Sequence, residues 1–275
     1  MFKILAKKEH NESVCELTLD APLIAKKVQP GQFVIIRIDE KGERIPLTVA
    51  DFDRENGTLT IIFQSIGYTT KKLALLNVGD AILDCVGPLG LPTEFGNAKK
   101  AIVIGGGVGC AIAYPQAKAL YKMGAQTTVI AGFRNKDIVI LEEEMRKVSN
   151  NYYITTDDGS YGQKGFVTDV LKELLQKESY DLVIAIGPIP MMKFVSLTTK
   201  EFGVKTIVSL NPIMIDGTGM CGGCRVTVDG EIKFACVDGP DFDGHLVDFD
   251  ELMRRNSFYR EQEDHICRMG EYYNA

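Results

Sequence analysis

The sequence predicts a β plus α/β chain in three consecutive parts: an antiparallel β-barrel, a doubly wound parallel sheet, and a small cysteine-bearing segment. Three observations predict it. Short β-rich runs separated by turn residues fill roughly the first hundred positions. From Ala101 onward, strands alternate with helical patterns around a glycine turn. Near the C-terminus, Cys221, Cys224 and Cys236 crowd into sixteen residues.

In the first part, strands are expected over 15–19, 33–38, 47–50, 59–63 and 81–83, with breakers at Pro30-Gly31, Asn56-Gly57 and Gly79-Asp80. In the second, buried strands are expected over 101–104, 127–131, 182–186 and 206–209. Helices follow the glycine turn to about Lys122 and recur over 141–148, 167–177 and 191–202. After Leu210 the periodicity stops, and only 248–255 reads as a helix. The expected units are 1–97, 98–209 and 210–275.

Composition narrows the function. The 275 residues carry a formal net charge of −6 and no Lys/Arg block longer than a dipeptide, which argues against nucleic acid or an anionic membrane as partner. The longest apolar stretch, 101–114, is shorter than the roughly 20 residues a bilayer requires, so no membrane span is expected. Seven cysteines, an odd number, and an N-terminus without a secretory apolar core point to reduced thiols and a cytoplasmic location.

Asp216, Cys221, Cys224 and Cys236 are spaced D-x4-C-x2-C-x11-C. Plant-type [2Fe–2S] ferredoxins use C-x4-C-x2-C with a distant fourth cysteine, so aspartate here occupies the first ligand position. Gly217, Gly219, Gly222 and Gly223 allow backbone N–H groups to curl around sulfur. Asp229-Gly230 between two β-rich tetrapeptides signals a two-residue hairpin that sets Cys224 opposite Ala235 and brings Cys236 alongside Cys224. Two other readings use the same residues: a zinc site of three thiolates and a carboxylate, or Cys267 as the fourth ligand.

Gly105, Gly106, Gly107 and Gly109 follow a buried strand and open a helix, where amides and a helix N-terminus can approach a pyrophosphate. The fingerprint is incomplete, since the next strand ends at Arg134 rather than at a ribose-holding acid. Gly187-Pro188 after a second core strand supplies another loop to a nucleotide crevice. Asp157-Asp158-Gly159 reads first as a turn and second as an NAD-facing stretch. His10, His245 and His265 lack metal or triad spacing. Cys15, Cys85 and Cys110 read as small buried residues, although a helix N-terminus at Cys110 would favour a depressed thiol pKa.

Arg44-Ile45-Pro46-Leu47-Thr48 on a barrel strand, the glycine turn with Gly187-Pro188, and the cysteine loop occur in that order. Together they resemble the ferredoxin–NADP⁺ reductase superfamily over nearly the whole chain. Within it the chain is similar to the branch with a C-terminal [2Fe–2S] segment, which includes dihydroorotate dehydrogenase electron-transfer subunits. Aspartate at 216 resembles more specifically the small (alpha) subunits of NADH-dependent reduced ferredoxin:NADP⁺ oxidoreductases, also called sulfide dehydrogenase small subunits.

The resemblance implies FAD, a [2Fe–2S] cluster and NAD(H) as cofactors. It implies Arg44 at the flavin pyrophosphate, with Pro46, Leu47 and Thr48 along the isoalloxazine and ribityl. Ile62, Phe63, Gln64, Gly67, Thr69 and Thr70 would follow as flavin contacts. The glycine turn at 105–109 and Gly187-Pro188 would hold NAD(P), and Asp216, Cys221, Cys224 and Cys236 the cluster. The implied activity is an oxidoreductase subunit passing electrons between NAD(H), flavin and cluster. Its implied partner is a larger flavin and [4Fe–4S] subunit resembling the glutamate synthase small subunit, in an electron-bifurcating complex that reaches ferredoxin indirectly. The alternatives are a dihydroorotate dehydrogenase electron-transfer subunit and, in another class, a zinc-binding or redox-sensing module on a reductase fold.

Overall fold

The computed structural model describes residues 1–273. Its first part contains β1 (Phe2–Asn11), β2 (Val14–Asp20), α1 (Pro22–Ala25), β3 (Phe33–Arg37), β4 (Ile45–Asp53), β5 (Thr58–Gln64), α2 (Tyr68–Ala74), β6 (Ala81–Ile82) and β7 (Asp84–Leu89). The antiparallel sheet runs β6-β1-β2-β5-β4-β3-β7. Its two outer strands are adjacent in sequence: Ile82 pairs with Phe2, Asp84 pairs with Arg37, and only Leu83 separates them. One residue spans a few ångströms, so the sheet has to curl until its edges meet. Leu17 and Leu19 of β2, Val34 and Ile36 of β3, and Leu59 and Ile61 of β5 fill the interior.

All five expected barrel strands are present. The unexpected β1 has only Ile4 buried among ten residues, and Lys3, Lys8 and Glu9 face solvent, so its sequence lacks the apolar alternation of a strand.

The second part contains β8 (Lys100–Gly106), α3 (Gly109–Lys122), β9 (Gln126–Phe133), α4 (Glu142–Lys147), β10 (Asn151–Thr156), β11 (Gln163–Lys164), α5 (Val167–Lys177), β12 (Leu182–Ile186), α6 (Ile189–Glu201) and β13 (Thr206–Ser209). These strands are parallel, in the order β11-β10-β9-β8-β12-β13. From β8 the chain proceeds outward through β9 and β10, then returns to the other side of β8 with β12. The topological switch therefore lies between β8 and β12, and ligands in such sheets bind beyond the strand C-termini at that point.

The last part contains β14 (Arg225–Val228), β15 (Glu231–Phe234), β16 (Asp241–Asp243), α7 (Phe249–Asn256) and α8 (Arg260–Tyr273). Asp229 and Gly230 both have positive φ, 52° and 74°, as a two-residue hairpin turn with the natural strand twist requires. The segment is not a free appendage. β16 adds to the parallel sheet as an antiparallel edge beside β13, pairing Val208 with Phe242 and Ser209 with Asp241. The helix expected over 248–255 is α7, and α8 is an addition to the sequence reading. Among the described residues no helix is long and apolar enough to cross a membrane.

Candidate functional site

The two glycine-bearing turns meet at the switch between β8 and β12. A Cβ on Gly109 would stand 2.5 Å from the Ile186 carbonyl oxygen and 2.9 Å from Gly187 Cα, so α3 starts in direct backbone contact with the β12 turn. Gly107 differs: its φ is +56°, its N–H donates to Gly132 O at 2.8 Å, and a Cβ there would meet nothing within 4 Å. Gly106, Gly109 and Gly187 thus serve the nesting of the two turns, Gly105 makes room for Cys110 of α3, and Gly107 faces open space. Pro188 stands against Gly106, 3.0 Å from where its Cβ would lie.

Arg134 is exposed at the end of β9. Its carbonyl accepts from Asp158 N–H at 3.3 Å, so the turn at 157–159 folds back on it. Cys110 corrects the expectation of a depressed pKa. Its side chain has no exposure, and burial pushes the thiol up to about 12 despite a backbone hydrogen bond from Gly132. Cys15 and Cys85 are buried too.

On the barrel, strand alternation sorts the flavin-side candidates. Ile45, Leu47 and Val49 pack on the barrel interior, so Arg44, Pro46 and Thr48 share the outer face. Phe63 turns inward, and Ile62 is buried against the cluster that includes Cys110 and Ala111 of α3. Only Gln64 of that trio keeps a partly exposed side chain. Gly67 caps α2, with Thr70 Oγ1 accepting from the N–H groups of Gly67 at 3.0 Å and Ile66 at 3.2 Å. Thr69 Oγ1 donates to Glu43 at 2.5 Å, tying this turn to the start of β4.

Arg44 crosses from the barrel to the cysteine loop. Its Nε lies 3.4 Å from Ile215 O and its Nη2 3.5 Å from Asp216 O. The loop rests on the barrel as well, since a Cβ on Gly217 would meet Ile35 Cγ1 at 2.9 Å. The Asp216 carboxylate accepts from the hydroxyl of Thr218 and from its N–H at 2.9 Å; these bonds, with a smaller pull from Arg44, hold its pKa below the usual carboxylate range. Thr218 escaped the sequence reading, although Asp followed two positions later by Thr is an Asx-turn pattern.

The hairpin performs as expected. Ala235 N–H donates to Cys224 O at 3.1 Å, and Cys236 N–H points at Cys224 Sγ at 3.4 Å. Both cysteines are buried, and burial followed by the neighbouring Cys224 thiol pushes Cys236 up. Cys221 is exposed, accepts from Gly223 N–H at 3.4 Å, and has its thiol pKa lowered by such backbone donors. Arg255 of α7 steadies the loop through Gly223 O at 3.4 Å, a contact without sequence signal.

The structure thus joins Cys224 to Cys236 and leaves Cys221 and Asp216 on the rim. Among the described residues, no three His, Cys, Asp or Glu side chains converge closely enough to hold a metal ion. The donor chemistry nevertheless fits an iron–sulfur cluster: three sulfurs, two already facing backbone N–H groups, on a loop curved by positive-φ glycines. Cys267 sits apart on α8, its Sγ 4.0 Å from Ile66 O. His10 pairs with Glu16 at 2.7 Å and His245 with Thr199 at 3.0 Å, which are structural roles.

Comparison with known proteins follows these regions. Residues 211–248 match the iron–sulfur cluster binding domain of dihydroorotate dehydrogenase B, and residues 103–197 match the oxidoreductase NAD-binding domain. The chain is 51% identical over 261 residues to a dihydroorotate dehydrogenase B electron transfer subunit homolog from Thermotoga maritima, covering 95% of this chain and 92% of that one. It is 37% identical to the corresponding electron transfer subunit of Fusobacterium nucleatum, covering 77% and 83%. Among solved structures, a chain from work on flavin-based electron bifurcation in NADH-dependent reduced ferredoxin-NADP oxidoreductase superimposes with TM-score 0.94 at 48% identity, over 100% of this chain and 98% of that one. With its ferredoxin-reductase-like barrel, NAD-binding sheet and iron–sulfur segment, the chain belongs to the family of dihydroorotate dehydrogenase B electron-transfer subunits and their homologues, oxidoreductase subunits that work with FAD, a [2Fe–2S] cluster and NAD(H).

Proposed function

We propose that this chain is the small subunit of an electron-bifurcating, NADH-dependent reduced ferredoxin:NADP⁺ oxidoreductase. The observation that carries the reading is the full-length similarity, at TM-score 0.94, to the chain from that enzyme's structure. Aspartate where plant-type ferredoxins place their first cysteine agrees with it. The functional units are 1–97 for flavin, 98–209 for the nucleotide and 210–275 for the cluster.

Bound together, the three cofactors convert two-electron hydride chemistry into single-electron transfer. The chain's own residues bind and orient. Arg44, Pro46 and Thr48 offer one outer face to the flavin, with a guanidinium suited to bidentate phosphate pairing. Leu47 and Phe63 support that wall from within, Ile62 backs it from the α3 side, and Gln64, Gly67, Thr69 and Thr70 border it. Gly105, Gly106, Gly107, Gly109, Gly187 and Pro188 form the nucleotide crevice, with Gly107 as its open position. Asp216, Cys221, Cys224 and Cys236 hold the cluster, and the Arg44 contact with the Asp216 carbonyl couples the loop to the flavin wall.

Around the cluster loop, Ile215, Met220 and Ile232 are exposed, Met220 at 88%. This apolar rim suits docking of a larger flavin and [4Fe–4S] subunit resembling the glutamate synthase small subunit, through which electrons reach ferredoxin. A second reading, an electron-transfer subunit serving dihydroorotate oxidation, draws on the name of the Thermotoga relative.

Co-purification identifies the partner, and anaerobic assay of the complex separates the readings. NADPH-driven reduction of both ferredoxin and NAD⁺ is expected, and dihydroorotate-driven NAD⁺ reduction would replace the first reading by the second. Colourless protein with stoichiometric zinc would overturn both. Substituting Asp216→Cys and Asp216→Ala should change the cluster's electron paramagnetic resonance spectrum and lower iron content in the alanine variant; unchanged spectra and iron in both would remove Asp216 from the ligand set.

A further inference from the structure

A cleft of about 540 Å³ opens between the barrel and the parallel sheet. One wall is Ile66-Gly67 before α2, and the other is Ile189-Pro190 at the start of α6. These flank the flavin-side and nucleotide-side turns of the proposed function, on which the following reading rests. The cover is the last helix: α8 turns Arg260, Glu263, Asp264 and Cys267 toward the cleft, a spacing of i, i+3, i+4 and i+7 that defines one helical face.

That face is unusual for a packed helix. It is polar and carries two carboxylates against one guanidinium, while Ile266 remains 45% exposed, and the connecting residues Phe258 and Tyr259 are exposed too. A helix held by burial turns its apolar stripe inward. Here α8 packs chiefly on α2, whereas α7, just before it, is anchored by buried Phe249 and Leu252 and by Arg255 on the cluster loop. Among the described side chains of α8, residues 260–268, none is buried, and few buried apolar contacts mark a segment of low local stability. The turn at 257–259 separates the anchored helix from α8.

We propose that α8 is a self-inhibitory lid: hinged at 257–259, it closes the cleft and sets Glu263 and Asp264 in the path of an anionic dinucleotide. Opening the lid admits the nucleotide. Like charges facing a site of anion binding disfavour the ligand, and salt screens that effect.

The test uses the intact complex. Glu263→Gln combined with Asp264→Asn should lower KM for NADH by about three- to tenfold at low ionic strength with kcat unchanged, the difference fading in high salt. In a second variant, Ile66→Cys, oxidation should join position 66 to Cys267, verified by mass, and slow NADH reduction of the flavin at least about tenfold until dithiothreitol restores it. Dithionite should reduce the flavin in every variant. An unchanged KM together with a full rate in the cross-linked protein overturns the lid, as does failure of the pair to oxidise, since α8 then does not rest on the Ile66 turn. If dithionite but not NADH reduces the wild-type flavin, the nucleotide reading of the cleft falls, and the lid falls with it.

Discussion

Asp241 has its carboxyl buried against its own charge. It stands where the three parts meet: Thr93, from the connection after β7, donates to its Oδ2 at 2.5 Å, and Gln116 of α3 and Ser209 of β13 lie beside its carboxyl. Its Oδ1 is buried without a hydrogen-bond partner, as are both amide atoms of Gln116. Burial pushes the carboxyl up to about 6 from an ordinary 3.8, partly offset by those neighbours. Because the folded-state pKa is raised, the ionised form is penalised on folding: the penalty is full above pH 7, shrinks as pH falls through about 6, and is gone below the unfolded value. About two pH units correspond to roughly 3 kcal/mol. Asp241→Asn keeps an acceptor for Thr93 and gives Gln116 a donor, so the thermal midpoint should rise at pH 7.5 and match wild type near pH 4. An equal shift at both pH values would contradict the assignment. Nothing in the sequence singles out Asp241, because its burial depends on three distant segments arriving at one point.

At the scale of elements, legibility followed how much of each element's pattern is local. The β14–β15 hairpin was readable because Asp229-Gly230 encodes its own turn, and its register then placed Cys236 beside Cys224. β1 and β10 were not, since their burial is supplied by partners rather than by their own alternation; in β10 only Thr155 and Thr156 are buried. The Cys110 expectation failed for a related reason: helix position is local, but the desolvation that dominates its thiol is tertiary. The hairpin also makes a quantitative claim. Gly230→Val forces a β-branched side chain to φ near 74°, at a cost of about 1–2 kcal/mol. The variant should lose iron faster on gel filtration, whereas Asp229→Asn, which tolerates positive φ, should retain it.

For the whole molecule, the layer order was readable, because glycine turns and cysteine spacing are sequence features. The way the parts lock together was not. Barrel closure through Leu83, the Lys118–Asp51 ion pair at 2.7 Å between α3 and β4, and the pairing of β16 with β13 all join residues far apart in the chain. Val226, Phe249 and Leu252 share one core with Val195 and Val208, so the cluster segment and the sheet are a single packing unit. A chain ended after Leu210 should therefore lose the folded sheet along with the cluster. Size-exclusion chromatography checks this, and a monodisperse, nucleotide-binding product would contradict it.

The added strand β16 has one more consequence. A parallel sheet ending at β13 would present an unpaired row of amide and carbonyl groups on a short, fully buried strand, a template for intermolecular strand addition. By laying Asp241–Asp243 along that border, with a carboxylate at each end, the redox segment acts as the sheet's guard against aggregation. During synthesis the border stays bare until Asp241–Asp243 has emerged, after all three cluster cysteines, so the nascent chain carries an open strand edge even once its metal loop has been made.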